Sequence, residues 1–129
     1  MPKTQVTLPY PPSTNHLYAR NRHGVVLTPE AVFYRLSVRA RLNGQQPFDG
    51  PVCVRADVYR PRRHGDLDNV LKALLDSLIS SPDGNGIYHD DSQVVHLVAR
   101  RYDDKRAPRV EVTVSTVDVC GCDLAPEGP

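Results

Sequence analysis

The stretch from Gly65 to Asp76, Gly-Asp-Leu-Asp-Asn-Val-Leu-Lys-Ala-Leu-Leu-Asp, constrains the fold of this chain most strongly. From Leu71 onward, apolar residues recur at the spacing of one buried helical face. That face consists of Leu71, Leu74, Leu75, Leu78 and Ile79. The pattern predicts an amphipathic helix from about Asp68 to Ser80, which must pack on another layer of the protein.

The other side of this helix carries charges. Asp68, Lys72 and Asp76 follow one another at intervals of four residues, so they share one stripe of the helix. Asp66 lies on the same side as Asp68 if the segment that enters the helix is extended. The sequence therefore predicts three carboxylates and one ammonium on a single surface, with the acidic pair Asp90-Asp91 following shortly after.

The rest of the chain predicts one small α/β (α+β) domain over 1–117, a mixed sheet of about four strands packed with two helices. Alternating or apolar runs predict strands at 3–8, 52–59, 93–101 and 110–115. The strand at 93–101 is apolar on both faces, which favours a central position. Residues 16–24 and 60–65 are predicted to be basic loops, and the Pro- and Gly-containing tail 118–129 is predicted to be disordered.

A second helix is predicted to start at Thr28-Pro29-Glu30, with Thr28 as N-cap and Pro29 at the first helical position. It is expected to end near Leu42, before Asn43-Gly44. The inward residues are expected to be Val32, Leu36, Phe33 and Leu42, and the outward ones Arg35, Arg39 and Arg41.

Charge is distributed unevenly. Nine arginines lie between Arg20 and Arg63 against three acidic residues, although the net charge of the chain is only +1. A basic segment beside an acidic pocket suits a polyanion held at a metal-loaded site, although a solvated arginine-rich face is the simpler interpretation of charge alone.

Without a secretion signal or a long apolar run, the chain is expected to be cytoplasmic, with no membrane partner. Cys53 is expected to be a buried apolar residue, and Cys120-Gly121-Cys122 lacks the partners of a zinc site.

Clustered carboxylates oppose each other's ionisation unless a cation neutralises them. Asp66, Asp68 and Asp91 are oxygen ligands of the kind that Mg²⁺ prefers, with Asp76 and Asp90 as further candidates. Lys72 is placed to contact a scissile phosphate or orient a water. Each position also has a purely structural interpretation: Asp68 as N-cap, Lys72 and Asp76 as a surface pair, Asp90 and Asp91 as turn residues, and His64 and His89 as solvated side chains.

In three motifs the sequence resembles the RusA family of Holliday junction resolvases. The motifs are Asp66 to Leu78, Asp90-Asp91-Ser92-Gln93-Val94-Val95 and Leu8-Pro9-Tyr10-Pro11-Pro12-Ser13-Thr14-Asn15. The resemblance extends over about Val6 to Val117. It implies a symmetric homodimer that binds four-way DNA junctions and nicks two opposed strands in recombination and repair, with Mg²⁺ or Mn²⁺ and no organic cofactor. Family members are often carried by prophages, which implies a bacterial or phage origin.

The resemblance also implies roles for individual residues. Asp66, Asp68 and Asp91 match catalytic, metal-binding aspartates, Lys72 matches an essential lysine, and Asp76 matches a further acidic position. The basic loops imply DNA contacts by Arg20, Arg22, Arg60, Arg62 and Arg63. His64-Gly65 interrupts the basic run, where further arginines are expected.

Two other classes of function stay open on the sequence. A non-catalytic junction-binding module would use the arginines alone, with the acidic cluster as structure. A metal-dependent phosphotransferase or receiver-like domain would use the aspartates and the lysine on a small substrate, although here the acidic pair Asp90-Asp91 follows Lys72 in the chain instead of lying at the first strand.

Overall fold

The computed structural model of the protein describes residues 3–61 and 67–119. The main sheet consists of β1 (Lys3–Pro9), β4 (Val52–Arg60), β5 (Val94–Asp103) and β6 (Arg109–Thr116). A small hairpin is formed by β2 (Tyr18–Asn21) and β3 (Gly24–Leu27), and the helices are α1 (Pro29–Arg41) and α2 (Asp68–Ser77). Short 3-10 turns lie at Thr14–His16, Asp91–Gln93 and Val117–Val119. The predicted α+β fold with a mixed sheet and two helices is confirmed.

The four strands of the main sheet lie in the order β1-β6-β4-β5. The β1–β6 and β4–β6 pairs are antiparallel, whereas β4 and β5 are parallel and are connected through α2. The prediction of a central strand at 93–101 is wrong, because β5 is the edge strand and β6 takes a central position. Apolar residues on both faces of β5 did not indicate burial: Val95 is 59% exposed and Leu97 is 38% exposed.

Both helices pack on one face of this sheet. Alternate residues of the central strands face them and are buried, among them Val54 and Val58 of β4 and Val110 and Val114 of β6. The opposite face carries Arg55, Asp57, Glu111 and Thr113, which are partly exposed. This one-sided burial is what an antiparallel arrangement permits. A doubly wound receiver domain has a parallel sheet covered on both faces, so the receiver-like alternative does not fit this fold.

Helix α1 begins as predicted but buries a different face. The Thr28 hydroxyl accepts a hydrogen bond from the Ala31 amide at 3.1 Å, which confirms the N-cap. The prediction that Val32, Phe33 and Leu36 face inward is wrong, since these side chains are 43%, 72% and 53% exposed. The residues buried on α1 and at its C-cap are Ala31, Tyr34, Val38 and Leu42. Both sets fit helical spacing, and contact with the sheet and α2 selects the second.

Residues 16–24, predicted to be a basic loop, instead contain β2 and the start of β3. The hairpin reverses at Arg22-His23, where the Asn21 side chain accepts a hydrogen bond from the His23 amide at 2.7 Å. Gly24 follows with a φ of +115°, a backbone conformation that favours glycine.

Cys53 is buried in β4, as predicted. No helix in 3–61 or 67–119 is long and apolar enough to cross a membrane.

Candidate active site

Helix α2 places the predicted charged stripe at the surface and its apolar face in the core. Val70, Ala73 and Leu74 are buried, whereas Asp68 and Lys72 are exposed. Asp68 is the first helical residue, and the N-cap position is occupied by Leu67, whose side chain makes no capping hydrogen bond. The interpretation of Asp68 as N-cap is therefore wrong, and its carboxylate lies at a helix N-terminus, where the helix dipole favours negative charge.

Asp76 joins Lys72 to α1. The Lys72 Nζ donates a hydrogen bond of 3.3 Å to Asp76 Oδ2, and the Arg35 guanidinium lies 3.9 Å from the same oxygen. This hydrogen bond and the charge of Asp76 raise the pKa of Lys72, and Asp91 contributes a smaller electrostatic effect in the same direction. Lys72 is therefore held as an ammonium. Arg35 was predicted to be an outward, solvated residue, and nothing in its sequence context pointed to Asp76.

The chain after α2 returns to the helix through Tyr88. Tyr88 is fully buried, and its hydroxyl donates a 2.6 Å hydrogen bond to the Leu75 carbonyl. Its own carbonyl accepts from the Ser80 amide at 2.7 Å. Gly86 makes this close return possible, because a Cβ there would overlap the Ser80 backbone. The pKa of Tyr88 is raised, first by burial and then by the negative charges of Asp91, Asp76 and Asp90, so all three carboxylates lie within electrostatic reach of this hydroxyl.

Asp90 and Asp91 have different surroundings. Asp90 caps the 3-10 turn Asp91–Gln93: its carboxylate accepts a 2.9 Å hydrogen bond from the Ser92 amide, which lowers its pKa. Asp91 is the first residue of the turn and is exposed. This geometry gives Asp90 a structural role in the turn. The role of Asp91 as a metal ligand stays a prediction.

Gln93 fixes this turn and was missed as a site residue. Its side-chain oxygen accepts hydrogen bonds from the His89 amide at 2.7 Å and the Asp90 amide at 3.1 Å. Its amide group donates to the carbonyls of Phe48 at 2.8 Å and Gly50 at 2.9 Å. The spacing Asp90-x-x-Gln93 is a capping-box signature, so the sequence did contain the signal.

The predicted DNA contacts divide into three groups. Arg20 and Arg22 are exposed on the hairpin. Arg60 is buried, and its Nε donates to Asp103 Oδ1 at 2.9 Å, so the prediction that it contacts DNA does not fit its position. Arg62 and Arg63 lie outside the described residues, as do Asp66 and His64. His89 lies within 2.9 Å of Asp49 Oδ1 and is half exposed.

Two of the three predicted metal ligands, Asp68 and Asp91, lie within the described residues and carry the oxygen donors that hard divalent cations prefer. Asp68 and Asp91 supply exposed carboxylate oxygens, and Lys72 lies within electrostatic reach of Asp91. Within 3–61 and 67–119, no three His, Cys, Asp or Glu side chains form a group that could hold a metal ion. The third predicted ligand, Asp66, lies outside these ranges, so the metal site stays a prediction.

Comparisons with a family model and with individual proteins identify the same family. A family model described as Endodeoxyribonuclease RusA matches residues 9–115. The Crossover junction endodeoxyribonuclease rusA of Enterobacteria phage 82 is 34% identical over 114 residues, which cover 85% of this chain and 92% of the relative. The proteins of that name from Shigella sonnei and Escherichia coli are 33% identical over the same shares of both chains. The match takes in α2, the Asp90-Asp91 turn and the hairpin, and on this evidence the chain belongs to the RusA endodeoxyribonuclease family.

Proposed function

We propose that this protein is a metal-dependent endodeoxyribonuclease that resolves four-way DNA junctions by nicking two opposed strands. The observation that carries the proposal is the pair of Lys72 and Asp76, 3.3 Å apart on the charged stripe of α2, with Asp91 exposed on the turn that follows and close enough to Lys72 to influence its pKa. Relatives named crossover junction endodeoxyribonucleases, similar over 85% of the chain, support the substrate. The proposal places the protein in DNA recombination and repair.

The mechanism assigns separate tasks to the residues of the site. Asp66, Asp68 and Asp91 would hold Mg²⁺, or Mn²⁺ in its place, and the ion would supply Lewis-acid activation of water and of the phosphodiester. Lys72 remains protonated near neutral pH and contacts the scissile phosphate, whose negative charge grows in the transition state. Asp76 positions the Lys72 ammonium through its 3.3 Å hydrogen bond. Arg35 limits the movement of Asp76 from the opposite side.

The proposal includes a homodimer. A four-way junction has two-fold symmetry, and one active site cannot cut two opposed strands at the same time, whereas a two-fold dimer presents two sites. Sedimentation at micromolar concentration, with and without junction DNA, tests this part. A monomer under both conditions would contradict it.

A cleavage assay tests the activity. End-labelled four-way junction and a linear duplex of matched sequence are incubated with the protein in Mg²⁺, Mn²⁺ or EDTA. We expect paired nicks in the junction with either metal and none in EDTA. Asp68→Asn should lose this cleavage, because an amide is a weaker metal ligand than a carboxylate. Glu111→Gln, the same chemical change on the opposite face of the sheet, is the matched control and should cut like the wild type.

Each outcome has a defined meaning. Nicks that require metal and disappear in Asp68→Asn alone support the proposed site. Tight junction binding without cuts in either metal favours a non-catalytic junction-binding module. Equal cleavage by Asp68→Asn and the wild type would show that the acidic site has been assigned wrongly.

A further inference from the structure

The β2–β3 hairpin borders the proposed active site. Leu17, at its base, is buried against Ala31 of α1 and Ala73 of α2, with Leu27 packed on the same cluster. The Thr28 amide donates to the Leu17 carbonyl at 3.0 Å, which closes the base. Ala73 directly follows Lys72, so this cluster fixes the hairpin beside the lysine. Beyond the base, the strands carry exposed residues from Tyr18 to Val26.

Tyr18 is a hairpin residue that lies beside the charged stripe. Its ring lines a small cavity together with Arg35, Ala73 and Asp76. The side chain is nevertheless 44% exposed, so one part of the ring contacts the protein and another is open to solvent. Ala73 is the sequence neighbour of Lys72, and Asp76 is its hydrogen-bond partner. An exposed aromatic ring therefore stands next to the proposed phosphate-binding ammonium.

Arg20 lies on the same face of β2 as Tyr18, because side chains two residues apart on a strand point the same way. Their partners across the hairpin are Val25 and Leu27. The hairpin thus presents an aromatic ring followed by a guanidinium group, which lead outward from Lys72. Proteins that hold single-stranded nucleic acid combine these two groups, with rings stacked on bases and cations along the backbone.

We propose that Tyr18 stacks on an unpaired nucleobase next to the scissile phosphate, while Arg20 binds a neighbouring phosphate of the same strand. The inference rests on the proposed junction-cutting function and adds a nucleobase subsite to it. A base at the branch point has fewer stacking partners than a base in a duplex and is easier to displace. Tyr18 would thereby set the position of the strand relative to Lys72.

Binding and fluorescence measurements on an Asp68→Asn background, in which the DNA stays uncut, test the subsite. The probe is a four-way junction with 2-aminopurine at the branch point, whose fluorescence is quenched by stacking. Tyr18→Phe keeps the ring and should retain quenching and affinity. Tyr18→Leu and Tyr18→Gln remove it and should lose most of the quenching and bind about fivefold to 150-fold more weakly, the range for one lost stacking contact. Tyr102→Leu, at a tyrosine of similar exposure on β5, should change neither quantity.

The outcomes separate this inference from the function on which it rests. Unchanged quenching and affinity in both non-aromatic variants, with unchanged unfolding temperatures, would overturn the subsite. Equal losses in Tyr18→Phe would overturn it as well, because the hydroxyl and not the ring would then matter. If the wild type neither binds nor cuts junctions, the proposed function itself has failed. Cleavage by the wild type with the expected Tyr18 losses supports both.

Discussion

Helix α2 and the β2–β3 hairpin lie side by side but are held in different ways. Helix α2 buries Val70 and Leu74 in the main core, and the buried Tyr88 hydroxyl donates to the carbonyl of Leu75. The hairpin has a single buried anchor, Leu17, and the residues beyond it are exposed. A two-stranded hairpin of this kind has little stability of its own.

The difference assigns separate tasks to the two regions. Groups that take part in chemistry need fixed geometry, which a helix supported by the core provides. A projecting hairpin is free to adjust to a branched substrate, and changes in it should alter binding more than folding. The predictions below test this division.

The largest effect is expected from Leu74→Ala in α2. Leu74 is fully buried, so the change should lower the free energy of unfolding by about 2–5 kcal/mol. Val25→Ala in the hairpin, where the side chain is 62% exposed, is the control and should stay within about 0.5 kcal/mol. Urea denaturation measures both. Similar losses in the two variants would show that the hairpin belongs to the same cooperative core.

The next effect is expected from Gln93→Ala. It removes the hydrogen bonds that tie the Asp90-Asp91 turn to Phe48 and Gly50, so Asp91 should lose its fixed position. Loss of a residue that orients a metal ligand typically costs about 10–100-fold in activity or metal affinity. Junction cleavage rates titrated with Mg²⁺ measure this. Gln5→Ala, at an exposed glutamine of β1, should cut normally, and an unaffected Gln93→Ala would contradict the positioning role.

A smaller effect, on pH dependence, is expected from Asp76→Asn. The Asp76 hydrogen bond and charge raise the pKa of Lys72, so the amide should let that pKa fall. If the ammonium form is the active one, cleavage should then be lost at a lower pH on the alkaline side than in the wild type. Arg35→Gln removes the second cation that contacts Asp76. It should not move the alkaline limb of the pH–rate profile to lower pH. Superimposable pH–rate profiles for Asp76→Asn and the wild type would exclude this role.

The smallest effect is expected from Phe33→Ser. Phe33 is 72% exposed on α1, so its replacement should change the unfolding free energy by no more than about 0.5 kcal/mol. Urea denaturation at two protein concentrations measures this. A decrease of several kcal/mol in the free energy of unfolding at both concentrations would show that Phe33 faces the core, as the sequence pattern predicted.

The two helices also show how far the sequence could determine the structure. In α2, Asp68 and Lys72 of the charged stripe are exposed, as predicted. The buried face differs in part from the predicted one: Leu74 and Leu78 are buried together with Val70 and Ala73, whereas Leu71, Leu75 and Ile79 are only partly buried. In α1, two faces have apolar residues at helical spacing, one with Phe33 and Leu36 and the other with Tyr34 and Val38. Only packing against the sheet decides which face is buried. The hairpin was missed because Arg22-His23 is not one of the turn sequences typical of two-residue hairpins.

The site was predictable to a similar degree. Helical spacing placed Asp68, Lys72 and Asp76 on one stripe, because that relation is local. The contacts of Arg35 with Asp76 and of Thr14 with the Asn69 carbonyl, 2.8 Å apart, join residues distant in sequence, and no local pattern encodes them.

The order of strands in the main sheet has a consequence for biosynthesis. β6 is the last strand to be synthesised, yet it lies between β1 and β4, and β1 pairs with no other strand of the described chain. On a ribosome, β1 therefore cannot pair with β6 until nearly the whole domain has been synthesised. Such long-range pairing slows folding. The main sheet that supports α2 therefore cannot be completed until translation has passed β6.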